Sequence, residues 1–507
     1  MPKPQASREL APLYERFSMD RAHAEHVAES CMRIFRDLPH LHGLTKTCRP
    51  LVEKTALLHD IEEAGSEDDH AARGAARIGK LQTSAVPREW LPLMAQAVRL
   101  HSVRSDLRPF LRRLRERGTP ELELAGRLAA ILRIGDGLDH VRRQDTRIAA
   151  ILDDGEAIEI HLRPSPSAHE NAEFALRKAD LWNQLALRPI RRIVVAEEDV
   201  APPSLVGARQ PVAEAARRIL QRHWEQFASR TYGVASRRDP EYVHEMRVAI
   251  RRFRSAAEAF REHLGQGLRP WEQKVSSLAR RLGTVRDADV FVECLRKYLS
   301  DAPRAHRPVL RKIIQSREGL SAEGRRELAA VLGGRGYRDL RPWLTRLAAL
   351  GERGRGQRPE RRTGPVWREA RRSLRRYLDD LFAYGRSLRK LSPRRQHLVR
   401  IGCKRLRYLA ESFQDLYGPG FLDAIKTLVE LQDLLGEVHD SYVYADWLGE
   451  ESRRLGSRSD AVICGLLEYL EEHRRQCLKR ANRVWKAFRG RKSRKRLAKM
   501  IDSPRRS

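Results

Sequence analysis

His244, Arg247, Arg251, Arg252 and Arg254 recur 153 residues later as His397, Arg400, Lys404, Arg405 and Arg407, at identical spacing. Arginine is suited to phosphate, because its planar fork donates two parallel hydrogen bonds. At about 100° per residue, His244, Arg247, Arg251 and Arg254 fall within an arc of about 80° on one helix face. Such a column of like charges is costly unless an anion fills it. Glu258 and Phe260 reappear as Glu411 and Phe413 at the same offset, and Leu282–Asp287 returns as Leu435–Asp440, with His439 where the first copy has Arg286. Asp287 and Asp440 either orient the arginines by ion pairing or cap helices. Two blocks that hold one offset predict a duplicated unit.

A second set of residues has the makings of a metal centre. His59-Asp60 ends an apolar stretch, with His26 upstream and His70, His101 and Asp136 downstream. Imidazoles and carboxylates suit Mn²⁺, Fe²⁺, Zn²⁺ or Mg²⁺. His23 competes with His26 one turn away, and Val27, Cys31 and Ile34 favour His26 by packing beside it. Glu63 follows the dipeptide and is either a proton carrier for a metal-bound water or a surface acid.

These residues must be carried by helices. The apolar periodicity predicts helix through residues 8–145, with breaks near Pro39–Gly43, Gly65–Asp69, Pro87 and Gly118–Pro120. A hairpin of strands is expected at Ile148–Leu152 and Ala157–Leu162, then a helix at Ala172–Gln184 and a strand at Ile193–Ala196. Pro202-Pro203 marks a linker, and the helical pattern resumes at about residue 210. The fold class expected is mainly α. It divides into an N-terminal helical domain (1–146), a small α/β appendage and linker (147–204), a first helical half (205–350), a Gly/Arg/Pro-rich joint (351–365), a second half (366–490) and a basic tail (491–507).

Charge separates the two regions. Residues 1–200 hold 31 basic and 31 acidic side chains, whereas residues 201–507 hold 68 and 36, so the net +32 lies wholly in the repeat-bearing part. Segregated charge predicts one domain built for a polyanion, and the candidates are nucleic acid, an anionic membrane surface and inorganic polyphosphate. Only 6% of residues are aromatic and the stripes are not interleaved with rings, which favours a plain phosphate polymer over single-stranded nucleic acid. Duplex-backbone binding stays open. No apolar run is long enough to span a membrane, and the opening Met-Pro-Lys-Pro-Gln-Ala-Ser has no apolar signal segment. The six scattered cysteines form no CxxC pair and read as reduced thiols in a cytoplasmic protein.

Val243-His244-Glu245-Met246-Arg247 through Arg254, His397 through Tyr408, and the two Leu-Gly blocks resemble the conserved histidine α-helical domain, CHAD, over about residues 205–490. The resemblance implies two pseudo-symmetric helical bundles around a basic channel, inorganic polyphosphate as ligand, and association with polyphosphate granules. His244, Arg247, Arg251, Arg252, Arg254, Arg286, His397, Arg400, Lys404, Arg405, Arg407 and His439 would line that channel.

The order His, His-Asp, His, His, Asp resembles the HD superfamily of metal-dependent phosphohydrolases. More closely, Ala56–Ile61, His70, Arg99-Leu-His101 and Leu132–Asp139 make residues 15–200 similar to the C-terminal half of the exopolyphosphatase/guanosine pentaphosphatase family. That resemblance implies a divalent metal held by His26, His59, Asp60 and Asp136, with His70 and His101 holding a second ion or phosphate. It implies hydrolysis of polyphosphate or a phosphorylated nucleotide. Two departures stand against it: the ATPase-type domains of that family are missing, and His-Asp-Ile-Glu replaces His-Asp-Ile-Gly. A non-enzymatic granule-binding or sensor protein, with the HD-like part as scaffold, is the alternative.

Overall fold

Helical periodicity in the first 140 residues becomes eight helices in the computed structural model, which describes residues 5–61, 70–196, 206–235, 239–264, 269–334, 337, 364–417, 419–456 and 459–504. They are α1 (Gln5–Glu9), α2 (Ala11–Phe17), α3 (Arg21–Asp37), α4 (Arg49–Leu57), α5 (His70–Gly79), α6 (Leu91–Arg99), α7 (Arg108–Arg117) and α8 (Pro120–Gly137). Their boundaries follow local chemistry. Asp20 caps α3 by accepting from His23 N at 3.0 Å. Gly118, at φ +33°, closes α7 in the left-handed region, and Thr119 then caps α8 with Pro120 in its first turn.

The chain forms two compact units, residues 1–203 with 225–246, and residues 204–224 with 247–507. The first is built around α8, with Leu128, Ile131, Leu132 and Ile134 in one apolar core with Val27, Cys31 and Ile34 of α3. Two glycines let its neighbours close in. A Cβ on Gly135 would clash with Cys31 Sγ of α3. One on Gly137 would stand 2.6 Å from Ala175 Cα, in helix α9 (Ala168–Lys178). Close packing on both sides of α8 is what sets Asp136 between them.

The appendage is a three-stranded sheet, β1 (Ile148–Asp153), β2 (Ile158–Leu162) and β3 (Ile190–Val195). β1 and β2 are antiparallel with Ile151 opposite Ile160, and β2 and β3 are parallel with Ile160 opposite Ile193. Gly155, at φ +96°, turns the hairpin, and Asp154 accepts from Ala157 N at 2.7 Å. The single helix expected at 172–184 is broken in two, α9 and α10 (Asp180–Leu185). The buried Arg133 donates to the Lys178 carbonyl at 3.2 Å, diverting that acceptor from a continuous helix, and pairs with the Asp180 carboxylate at 2.7 Å.

In the second unit the duplication is explicit. Helices α11 (Val212–Ala228), α12 (Glu241–Ala259), α13 (Arg261–Leu264), α14 (Arg269–Asp301) and α15 (Arg307–Gly333) make the first half, though residues 225–228 of α11 and 241–246 of α12 fall in the first unit. Helices α16 (Val366–Phe382), α17 (Pro393–Ser412), α18 (Pro419–Leu455) and α19 (Asp460–Phe488) make the second half. Equivalent residues meet reciprocally across the halves. Val212 N donates to Gly364 O at 3.0 Å, and Val366 N to Gln210 O at 2.9 Å. Arg252 pairs with Glu411 at 2.8 Å, and its counterpart Arg405 with Glu258, the counterpart of Glu411, at 3.3 Å. Phe260 and its counterpart Phe413 stack edge to face, centroids 5.5 Å apart. This is a pseudo-two-fold relation. A last helix, α20 (Arg491–Asp502), runs through the basic tail and buries Leu497 and Ile501. The joint at 351–365 lies outside the described residues except for Gly364 and Pro365. No helix among the described residues is long and apolar enough to cross a membrane, and all six cysteines are free thiols.

Candidate functional site

In the second unit, the two repeated helices bring their basic faces to one cleft of about 490 Å³. Arg251, Arg254 and Arg261 line it from the first half, and His397, Arg400, Lys404 and Arg405 from the second. Glu258, Glu272 and Tyr408 are also in the wall.

The repeated cations fall into two classes. Arg247 pairs with Asp287 at 2.5 Å, and its counterpart Arg400 reaches Asp440 only at 3.9 Å. The two aspartates after the Leu-Gly blocks thus face the arginine columns, inside long helices rather than at helix starts. Arg252 and Arg407 share Glu411, and Arg405 has Glu258. Among the described residues, neither Arg251 nor Lys404 forms an ion pair with a carboxylate. Burial and the neighbouring Arg247 and Arg400 pull the Arg251 guanidinium down to about 10. Burial, then Arg251, Arg400 and Arg247, pull the Lys404 ammonium down to about 6. Arg400 is lowered by burial, and its Nε is buried without a hydrogen-bond partner, as is His397 Nδ1. The His439 ring lies 4.2 Å from that of His397 and is held down to about 4 by burial and Arg400. Desolvated positive charge crowded in this way is stabilised most by an anion with several oxygens.

Arg254 is exposed on the cleft, Arg286 is half-buried on α14, and His244 precedes Arg247 on α12 but lies in the first unit. Arg261 was not legible in the repeat, because it stands in α13, just past the matching blocks. Tyr408 is a cleft residue as well as a packing one: its buried ring has Arg407 5.7 Å and Arg252 6.0 Å from its centroid.

In the first unit a second cluster forms where helices end. α4 stops at Leu57, so His59 and Asp60 lie in the following turn, free of the rule that neighbours on a helix face apart. His70 begins α5, and His101 follows the end of α6. Asp60 Oδ1 lies 3.4 Å from His59 Nε2 and 3.5 Å from His101 Nε2. Asp136 Oδ1 lies 3.6 Å from His59 Nε2 and 3.6 Å from His23 Nε2. His70 Nε2 is 3.3 Å from His101 Nε2.

The cluster takes His23 where sequence favoured His26. The Val27-Cys31-Ile34 stripe does pack, but it packs α3 so that His23 faces the aspartates, while the His26 ring meets Arg147. Burial lowers the His26 imidazole. Glu63 lies outside the described residues.

The second nitrogen of each central imidazole is tied. His23 Nδ1 meets Asp139 Oδ2 at 2.8 Å, His59 Nδ1 the Ala56 carbonyl at 2.8 Å, and His101 Nδ1 the Val98 carbonyl at 2.6 Å. This is the backing that metal-binding histidines use to aim the other nitrogen. His23 Nε2 and His59 Nε2 are buried without a hydrogen-bond partner, so the donor set fits a divalent cation. The outer carboxylate oxygens are held by cations: Asp136 Oδ2 by the buried Lys178, and Asp60 Oδ2 by Arg142 at 2.7 Å. Burial opposes charge on both aspartates, but His59 on Asp60 and Lys178 on Asp136 outweigh it and keep them ionised. Lys178 and Asp139 were missed because their side chains enter from the far end of α9 and the turn after α8.

No curated protein matches the chain. Among solved structures, the chain is similar to the CHAD domain from the plant Ricinus communis, at 23% identity over 59% of this chain and 96% of that one, with a TM-score of 0.40. It is also similar to PptA from Streptomyces chartreusis, at 16% identity over 54% of this chain and 99% of that one, with a TM-score of 0.40. Residues 218–449, the stretch that holds both copies of the basic pattern, match the family model of the CHAD domain.

Proposed function

We propose that this protein binds inorganic polyphosphate in the cleft between its two helical halves, and that it associates with polyphosphate granules through that binding. The observation that carries this reading is the pair Arg251 and Lys404, equivalent residues of the two halves. They share one cleft, are desolvated and crowded by other cations, and form no ion pair of their own, while Asp287 and Asp440, which also act on them, pair with Arg247 and Arg400 instead. A polymer with roughly one negative charge per phosphate satisfies several such groups at once, and it needs no aromatic platform. The test is titration with long-chain polyphosphate at fixed salt, with duplex DNA as competitor. Retained polyphosphate that DNA does not displace supports the reading. Stronger retention of DNA would move the assignment to a nucleic-acid backbone.

A second reading concerns the first unit, and the orphaned Nε2 atoms of His23 and His59 favour it. We infer that His23, His59, Asp60 and Asp136 hold a divalent ion, with His70 and His101 beside them for a second ion or a phosphate. A bound ion of this kind lowers the pKa of its water and polarises a phosphoryl oxygen. The chain's own residues aim the donors: Asp139 and two backbone carbonyls orient the imidazoles, and Lys178 and Arg142 hold the carboxylates. The activity that fits is metal-dependent hydrolysis of polyphosphate or a phosphorylated nucleotide. Phosphate release with Mn²⁺ or Mg²⁺ that is lost in Asp60→Asn supports it. Polyphosphate binding without release at any metal would leave a binding or sensor protein.

A further inference from the structure

The hairpin of α18 and α19 carries a cluster that neither site uses. His473 and Cys477, four residues apart, share one face of α19, and Glu437 meets them from α18. His473 Nε2 lies 2.8 Å from Glu437 Oε2, and Cys477 Sγ lies 3.0 Å from that oxygen and 3.5 Å from His473 Nε2. Thiolate, imidazole and carboxylate together are donors for a borderline-soft divalent ion such as Zn²⁺. Bonds of about 2.0–2.3 Å at tetrahedral angles would space the three donor atoms roughly 3.3–3.7 Å apart, so the cluster needs to open by well under about 1 Å. Glu437 and His473 are at the surface and able to move, whereas Cys477 is only 2% exposed and held in place.

The duplicated frame shows that the packing does not require these residues. At the same offset the first half has Thr284, Leu320 and Gly324. A Cβ on Gly324 would stand 2.9 Å from Val285 Cγ2, so there the two helices simply close together. In the second half the equivalent positions carry three metal-type donors instead.

We propose that Glu437, His473 and Cys477 bind one Zn²⁺-class ion through three protein ligands, leaving a coordination position open to solvent. As the sulfur–metal bond forms, the Cys477 S–H bond breaks and its proton passes to solvent. Glu437, which accepts that S–H in the metal-free protein, turns its oxygen to the ion. A thiol is protonated at neutral pH and binds metal as the thiolate, so proton release accompanies binding.

The test is a Co²⁺ titration of the full chain in a Cys464→Ser background, which removes the exposed thiol. A thiolate ligand produces a near-ultraviolet sulfur-to-metal charge-transfer band that imidazole and carboxylate ligands do not. The expected result is such a band that saturates with one ion per chain beyond those taken by the His/Asp cluster of the first unit, and that Zn²⁺ displaces. It should vanish in Cys477→Ser, weaken at least tenfold in affinity in His473→Ala, and persist in Asp60→Asn. No band in the parent protein, or the same band in Cys477→Ser, would overturn the site. Should Cys477→Ser not fold, the surface variants His473→Ala and Glu437→Gln decide it: unchanged Co²⁺ affinity in both rejects the proposal.

Discussion

The His/Asp cluster of the first unit and the basic cleft of the second are opposite solutions to one electrostatic problem. In the first, two carboxylates converge with imidazoles whose free nitrogens face inward, and Lys178 and Arg142 balance only the outer oxygens. In the second, guanidinium and ammonium groups converge, and the carboxylates pair with the cations around Arg251 and Lys404 but not with those two: Asp287 takes Arg247, Asp440 reaches Arg400, Glu411 takes Arg252 and Arg407, and Glu258 takes Arg405. The centre of each site therefore suits a ligand of opposite sign, a cation in one and an anion in the other. The flanking pairs teach the further point that a repeated cation need not be a binding cation. Arg252 and Arg405 repeat as faithfully as Arg251 and Lys404, yet they tie one half to the other.

The largest expected effect separates the sites altogether. His59→Ala or Asp60→Asn should lower divalent-metal affinity by about 100-fold or more, measured by metal analysis after dialysis. Polyphosphate affinity should not change. Coupled loss of both would break the comparison.

Next, Arg251→Ala and Lys404→Ala should each weaken polyphosphate binding by about 10- to 30-fold, the scale of one charge-assisted hydrogen bond of about 1.5–2 kcal/mol. Arg405→Ala should cost under about threefold, because Glu258 already neutralises it. Binding isotherms at one salt concentration distinguish these, and equal losses would erase the distinction between flank and centre.

The third effect is pH dependence. The Lys404 ammonium sits at about 6 in the free protein, against an ordinary 10.5, and a bound phosphate raises it again. Binding thus takes up a proton between these values. Affinity should rise as pH falls from about 10 to 6, by up to about tenfold per unit, and level off below. The same group makes the ligand-free fold less stable as pH falls through that window, since the unfolded chain binds the proton first. In Lys404→Met the slope measured by titration calorimetry should flatten.

The smallest effect tests the swapped pairs. A double-mutant cycle on Arg252 and Glu411, followed by denaturant unfolding, should give about 0.2–1 kcal/mol of coupling, since both partners are partly exposed. The cycle on Arg405 and Glu258 should give less, at its longer 3.3 Å contact.

Much of this was legible in the chain because it is written in spacing. The 153-residue offset determined the duplicated helices and the two basic faces, and the count of charges along the chain showed where the excess lies. Periodicity determined the hairpin around Gly155, and residue type alone marked His59, Asp60, His101 and Asp136 as donors. What only the tertiary structure decided is which groups meet. The helix α3 could present His23 or His26, and the close approach that Gly135 permits turned His23 toward Asp136 and left His26 with Arg147. Partners for the cations come from residues distant in sequence, as Glu411 does for Arg252 and Lys178 does for Asp136. One-dimensional spacing assigns a side chain to a helix face; packing between faces then determines whether that side chain finds a counter-charge or is left to attract one.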